Sequence, residues 1–155
     1  MISYLDLFKL NNKTAYIVGG VGLLGSEISK AIASSGAKTI VLDINRVKGD
    51  ELVKKIDKAG HESYFEYFDC TKLEILEKNI FKIFKKYGQP DILINCSYPT
   101  TSNWGKSSFK EISLESFRNN VDIHMNSYAW IAKVFADRMA ENNLGGTIVQ
   151  FGSIY

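Results

Sequence analysis

Four glycines fall close together near the start of the chain, between an apolar run and a segment with helical spacing. They are Gly19, Gly20, Gly22 and Gly25 in the stretch AYIVGGVGLLGSEISKAIASSG, residues 15–36. Glycine weakens helices and strands alike. Its concentration at such a junction therefore indicates that the backbone there needs a conformation or a close approach that only glycine permits. Without side chains in the way, the backbone N–H groups that begin a helix can approach an anion, and the helix dipole favours negative charge there. The stretch therefore predicts a site for phosphate groups.

A carboxylate follows at a distance that suits a sugar contact beside those phosphates. Asp43 lies 18 residues after Gly25 and ends the apolar run TIVLD. In a doubly wound sheet, an acidic residue there accepts hydrogen bonds from the adenosine ribose hydroxyls and repels a 2′-phosphate. A helix-initiating or solvated carboxylate is the alternative for Asp43, and a plain turn is the alternative for the glycines. Together the two features predict a dinucleotide site that prefers NAD to NADP.

Strand-like and helix-like segments alternate along the chain. Continuous apolar runs such as DILIN indicate strands that are covered on both faces. The predicted strands are residues 15–18, 39–43, 63–68, 91–96 and 147–151, and the predicted helices are residues 24–35, 48–59, 71–87 and 115–140. This alternation predicts an α/β fold, a doubly wound parallel sheet with right-handed crossovers. For that fold we expect the strand order 3-2-1-4-5.

Charge and cysteine content argue against several classes of function. The chain has 155 residues, with 19 Lys and Arg against 17 Asp and Glu, and a formal net charge of +2. Because the two signs are interspersed, they give no support to nucleic-acid or membrane-surface binding. No stretch reaches the roughly 20 apolar residues of a membrane span. Cys70 and Cys96 have neither metal-ligand spacing nor a disulfide framework. We expect one cytoplasmic domain, residues 1–155, with reduced thiols and no metal site.

The motifs, taken in order along the chain, resemble those of the short-chain dehydrogenases/reductases. They are IVGGVGLLG, VLDI, FDC, DILINCS and GGTIVQFGS, and they extend over nearly the whole sequence. The resemblance implies a Rossmann fold and an NAD-dependent oxidoreductase that transfers a hydride between the nicotinamide and a hydroxyl or carbonyl group of a sugar-like small molecule. CSYP, DIHMNSYAW and GSIY also resemble a branch that modifies flagellin or surface polysaccharide. The loop of residues 98–110 would line the substrate side.

The resemblance also assigns roles to residues near the ends of the predicted strands. Asp69 and Cys70 would flank the adenine, and residues 95–97 would replace the family's Asn-Asn-Ala-Gly segment. Ser153 would be the catalytic serine. His124 takes the place of an asparagine that holds a water in the family's proton relay, and an imidazole can serve there or be a structural helix residue. With the residues that flank the motifs, the predicted cofactor-binding set is Gly19, Val21, Gly22, Leu23, Leu24, Gly25, Asp43, Ile44, Asp69, Cys70, Asn95, Cys96 and Ser97.

Departures from the family pattern leave alternatives open. Val18 replaces a usual threonine, and the glycine spacing is closer to the extended branch of sugar-nucleotide epimerases and dehydratases. The family's acid/base tyrosine and its lysine partner would lie beyond Tyr155. We therefore expect the chain to be the N-terminal part of a longer oxidoreductase, to be inactive alone, and to form homo-oligomers through residues 115–140. A module that binds the dinucleotide without catalysis is the alternative.

Overall fold

The strands form the sheet that the sequence predicts. The computed structural model describes residues 4–101, 108, 110–141 and 145–152. The strands are β1 (Thr14–Val18), β2 (Lys38–Asp43), β3 (Ser63–Tyr67), β4 (Ile92–Asn95) and β5 (Thr147–Gln150). All are parallel, and they lie in the order β3-β2-β1-β4-β5. The prediction of a doubly wound α/β fold of the Rossmann type, with this strand order, is confirmed.

Helices pack on both faces of the sheet. They are α1 (Leu23–Ser34), α2 (Arg46–Lys58), α3 (Leu73–Tyr87), α4 (Leu114–Val121) and α5 (Ser127–Glu141), preceded by a 3-10 turn at Tyr4–Phe8. The first three agree with the predicted helices to within two residues at each end. Among the described residues, no helix is both long and apolar enough to cross a membrane.

The long helix predicted over residues 115–140 is interrupted. A π-helical turn at Asp122–Asn126 separates α4 from α5, so the prediction of one continuous helix is corrected here. A π turn adds a residue to the local repeat and rotates the side chains that follow it onto a new face. The helical register therefore changes between the apolar side chains of α4 and those of α5.

The larger part of the core lies between the sheet and the pair α3 and α5. Tyr16 of β1, Phe84 of α3 and Phe135 of α5 form an edge-to-face cluster, with ring centroids 4.8 Å apart for Phe84 and Phe135 and 5.4 Å apart for Tyr16 and Phe135. Alternate residues of β1, such as Ala15 and Ile17, pack on the opposite face against α1. Both faces of the central strands are thus covered, which explains their continuous apolar sequences.

Replacing Phe135 tests the packing of α5. Phe135→Ala should lower the free energy of unfolding by about 3–5 kcal/mol, because a fully buried ring leaves a cavity. The control is Lys133→Ala on the same helix, where the side chain is 47 % exposed and the expected loss is on the order of 1 kcal/mol or less. Urea unfolding followed by circular dichroism measures both losses. Equal losses would contradict the orientation of α5.

Candidate functional site

The turn from β1 to α1 has the close approaches that its glycines predict. Gly19 has a φ of 71°, in the left-handed region that favours glycine, and its N–H donates to the Leu42 carbonyl at 2.9 Å. A Cβ added to Gly19 would lie 2.7 Å from the Cα of Ser97. A Cβ added to Gly25 would lie 2.1 Å from the carbonyl oxygen of Gly19. No side chain fits at either position, so the turn, the helix and the end of β4 pack backbone against backbone.

The amino end of α1 has no side-chain cap. Gly22 is the N-cap residue, and no side chain accepts a hydrogen bond from the first turn there. The first N–H groups of a helix have no carbonyl partner within the helix. Together with the helix dipole, these free donors favour an anion at the start of α1.

A cavity of about 620 Å³ lies over the carboxyl ends of β1 to β4, beside this turn. Members of the predicted set that line it are Gly19, Gly22, Leu23, Leu24, Gly25, Asp43, Ile44, Asp69, Cys70, Cys96 and Ser97. The wall also contains Val18, Phe68, Thr71, Tyr98, Pro99 and Thr100. A parallel sheet brings these residues together because every strand ends at the same edge. The cavity has the size of a small-molecule or cofactor site, and the role of its residues as cofactor ligands stays a prediction.

Two carboxylates on the cavity wall are fixed by backbone donors. Asp43 accepts the Val21 N–H on Oδ2 at 3.2 Å and the Asn45 N–H on Oδ1 at 3.0 Å. It therefore links the glycine turn to the start of α2. Asp69 accepts the Thr71 N–H at 3.0 Å and the Thr71 hydroxyl at 2.7 Å. Both side chains are held at the cavity rather than extended into solvent.

Three residues of the predicted motifs lie behind the wall. Val21 packs on the cluster between α1 and α2, and only its N–H turns towards Asp43. Asn95 is fully buried, and its Oδ1 accepts the Ser97 N–H at 3.1 Å and the Ser97 hydroxyl at 2.7 Å. A Cβ on Gly20 would lie 2.7 Å from the Val41 side chain, so this glycine serves packing on the sheet instead of ligand approach. The side chains of Val21 and Asn95 thus lie behind the cavity wall, and the predicted part of both residues in cofactor binding stays a prediction.

Both cysteines line the cavity as free thiols. Burial raises the pKa of the Cys70 thiol and raises the pKa of Cys96 to about 11. Because the thiolate is the reactive form, both side chains are weak nucleophiles at neutral pH. Among the described residues, no group of three or more His, Cys, Asp or Glu side chains comes together as a metal site.

His124 lies in the π turn, behind the cavity wall rather than on it. Its ring packs edge to face between Tyr98 and Tyr128, with centroid distances of 4.8 Å to each. Burial lowers its pKa, which favours the neutral imidazole. It reaches the cavity wall through its contact with Tyr98. The other predicted catalytic residue, Ser153, lies outside the described residues, as do residues 102–107 and 109 of the predicted substrate loop.

Two side chains that sequence reasoning did not assign to the site connect the helices to it. The Tyr128 hydroxyl lies within hydrogen-bond distance of the Ser97 carbonyl, and it is 3.1 Å from the Phe151 carbonyl. Asn120 is buried, accepts the Thr101 N–H at 2.9 Å and donates to the Thr101 hydroxyl at 2.6 Å. Helical spacing marks Tyr128 as a packing residue, and its partners are distant in sequence. No local pattern could have found these contacts.

Acidification should destabilise the chain through His124. Because burial lowers its pKa in the folded chain, the unfolded chain binds the proton more readily. The free energy of unfolding is therefore unaffected by protonation of His124 above the ordinary histidine pKa of about 6.5. It falls as the pH drops through that value towards the lower pKa of the folded chain. His124→Asn should reduce the loss of unfolding free energy between pH 7.5 and 5.5, measured by urea unfolding. His61→Asn, at the other histidine, is the control, and an unchanged loss in His124→Asn would contradict the assignment.

Comparison with known proteins agrees with this fold. A family model described as short chain dehydrogenase matches residues 13–155. The 7alpha-hydroxysteroid dehydrogenase of Escherichia coli (strain K12) is 28% identical over 149 residues, which are 96% of this chain and 56% of that protein. Post-translational flagellin modification protein A of Campylobacter coli is 26% identical over 140 residues, 90% of this chain and 55% of that protein. The chain thus spans about half the length of these curated relatives.

A solved structure agrees with the same assignment. A 7 alpha-hydroxysteroid dehydrogenase complexed with NADH and 7-oxo glycochenodeoxycholic acid is 25% identical and superposes with a TM-score of 0.80, covering 99% of this chain and 58% of that one. The motif resemblance, the strand order and the family match all concern the same stretch of sequence. The chain therefore belongs to the short-chain dehydrogenase family.

Proposed function

We propose that the chain binds NAD(H) in the cavity over β1 to β4 and forms the dinucleotide-binding part of an oxidoreductase. The observation that carries the proposal is the uncapped amino end of α1, which meets the cavity at a turn where Gly19 and Gly25 leave no room for side chains. Such a helix end supplies N–H donors and a favourable dipole for a pyrophosphate. When bound, the nicotinamide would accept or supply a hydride at a hydroxyl or carbonyl group of the substrate.

The order of residues around the cavity suits the parts of a dinucleotide. Asp43, held by two backbone N–H groups, is available to the adenosine ribose hydroxyls beside the glycine turn. Ile44, Asp69 and Cys70 supply an apolar and polar wall for the adenine on that side. Cys96 and the segment that follows it form the opposite wall, where the nicotinamide end would lie. The cavity residues thus fit the group in size, order and charge.

The charge around Asp43 favours NAD over NADP. Members of the family use nicotinamide cofactors, and solved neighbours include complexes with NADH and with NADP, so the choice must come from local residues. Among the described residues that line the cavity there is no lysine or arginine to hold a 2′-phosphate. Arg46 follows nearby, but its guanidinium lies 5.7 Å from the centre of the Phe65 ring, which it covers. A 2′-phosphate would therefore face the Asp43 carboxylate without a compensating cation.

Cofactor titration tests whether the chain binds a dinucleotide and whether it prefers NADH to NADPH. The chain should bind NADH at least about tenfold more tightly than NADPH, a difference of about 1.4 kcal/mol. Asp43→Ala should narrow that gap, because it removes the repulsion of the 2′-phosphate. Glu51→Ala, which removes an exposed carboxylate from α2, changes the net charge equally and should leave the gap intact. Calorimetry measures the six affinities, two for each of the three proteins, and NADPH binding equal to or tighter than NADH binding in the unaltered chain would contradict the proposal.

Catalysis would take place on the Tyr98 side of the cavity. We propose a sugar-like substrate with a hydroxyl or carbonyl group, with Ser153 polarising the reacting oxygen and His124 supporting the proton relay from behind Tyr98. The acid/base tyrosine and lysine that the family resemblance implies have no counterpart after Ser153 in this sequence. We therefore expect the 155 residues alone to be inactive. NADH oxidation by this chain would contradict that expectation, whereas NADH binding without turnover by any longer form would favour a non-catalytic binding module.

The apolar surface of the α4 to α5 segment supports self-association. Five large apolar side chains there are between 42 % and 63 % exposed, namely Leu114, Phe117, Val121, Met125 and Trp130. Exposed large apolar side chains concentrated on one segment favour a protein interface. We propose that it joins two copies of the chain.

Light scattering coupled to size exclusion tests the interface. The unaltered chain should form dimers or larger oligomers, and the double variant Leu114→Lys with Met125→Lys should shift it towards monomer by placing charge on the apolar surface. The matched control is Leu5→Lys with Phe8→Lys, which alters two residues that are 77 % and 72 % exposed on the amino-terminal turn. A monomeric unaltered chain, or equal effects of both pairs, would contradict the proposed interface.

A further inference from the structure

The ends of β4 and β5 separate at the edge of the site, and one side chain spans the gap. The two strands pair as far as Asn95 and Gln150, and the last bond of the ladder joins the Phe151 N–H to the Asn95 carbonyl at 3.1 Å. Beyond it, the Tyr128 hydroxyl lies between the carbonyls of Ser97 and Phe151, 3.1 Å from the latter. A phenol has one proton to donate, so the hydroxyl bonds either carbonyl and lies within reach of both.

Ser97, two residues beyond the end of β4, contacts Tyr128 and also touches the rest of the cavity. Its N–H donates to the buried Asn95 side chain at 3.1 Å, while its carbonyl faces Tyr128. Its backbone packs so closely on Gly19 that a Cβ there would lie 2.7 Å away. A shift of Ser97 would therefore change the space beside the glycine turn. Asn95 holds this residue from one side and Tyr128 holds it from the other.

The ring of Tyr128 reaches the same wall by a second route. It packs edge to face on His124, and His124 packs edge to face on Tyr98, each with a centroid distance of 4.8 Å. Tyr98 lines the cavity next to Ser97. The hydroxyl of Tyr128 thus supports Ser97, and its ring supports Tyr98 through His124. The two supported residues are consecutive in the cavity wall.

We propose that Tyr128 is a positioning residue of the dinucleotide site. It fixes the Ser97 and Tyr98 segment against the glycine turn, so that the cavity has its binding shape before the cofactor arrives. The inference rests on the proposed binding of NAD(H), and it assigns Tyr128 no contact with the reacting atoms. A preformed wall lowers the ordering cost of binding, which is why the loss of one supporting hydrogen bond should appear in affinity.

The variant Tyr128→Phe isolates the hydroxyl, because the phenyl ring can keep its contact with His124. Two measurements follow it: the affinity of the chain for NADH, and the rate at which iodoacetamide labels Cys96 without cofactor. Cys96 directly precedes Ser97 and is half-buried, so its labelling reports local opening of the wall. Peptide mass spectrometry separates Cys96 from Cys70. Loss of one hydrogen bond changes a local equilibrium by about 2- to 12-fold, and we expect faster labelling and weaker NADH binding of that size.

Tyr16→Phe is the matched control. The buried Tyr16 hydroxyl donates to the Gly88 carbonyl at 2.6 Å, and Gly88 precedes β4 at the opposite edge of the sheet. This variant also removes a tyrosine hydroxyl from a carbonyl, but it should leave Cys96 labelling and NADH affinity unchanged. Urea unfolding of both variants records any general loss of stability.

The two measurements separate the possible failures. Unchanged labelling and affinity in Tyr128→Phe would overturn the inference, and so would equal changes in Tyr16→Phe, which would show only a loss of general stability. No detectable NADH binding by the unaltered chain would overturn the proposed function. In that case the labelling rates still decide whether the Tyr128 hydroxyl holds the Ser97 segment.

Discussion

The site depends on the close backbone contact between the β1 to α1 turn, the start of α1 and the end of β4. Gly25 lies against the Gly19 carbonyl, and Gly19 lies against Ser97, with no space for a Cβ at either glycine. This packing brings the uncapped end of α1 directly to the cavity. A side chain at Gly19 or Gly25 would push the helix or β4 away and remove the anion site with it. The glycines therefore determine the shape of the site, and the carboxylates and aromatic residues complete it.

The sheet and most of the cavity wall could be predicted because their signals are local. Strands buried on both faces leave continuous apolar runs, and a parallel sheet places the residues that follow those runs at one edge. Asp43 could be assigned to that edge from its position, and Asp69 and Cys96 from the family resemblance; each of the three lines the cavity. The strand order followed from the doubly wound fold that the alternation of strands and helices predicts, because apolar runs by themselves do not contain the topology.

The direction of individual side chains could not be predicted in the same way. A motif gives positions along the chain, whereas the tertiary packing decides that Val21 turns into the core and that Asn95 holds Ser97 from beneath. The π turn at Asp122–Asn126 escapes a search for helical periodicity, because the residues on either side of it have ordinary spacing. The bridge formed by Tyr128 is also tertiary, since its two carbonyl partners follow different strands, Ser97 after β4 and Phe151 after β5.

The central claim is that a dinucleotide binds at the carboxyl edge of this sheet, with its phosphates at the start of α1. An NMR titration of the nitrogen-15 labelled chain with NADH tests it most directly, because each backbone amide reports its own environment. The account predicts that the largest shifts occur at the amides of Gly19, Gly22, Gly25 and Ser97, while Lys13 and Asp91, which are paired at the opposite edge, do not move. The claim would be contradicted if the largest shifts occurred around Lys13 and Asp91, or if no amide shifted at saturating NADH.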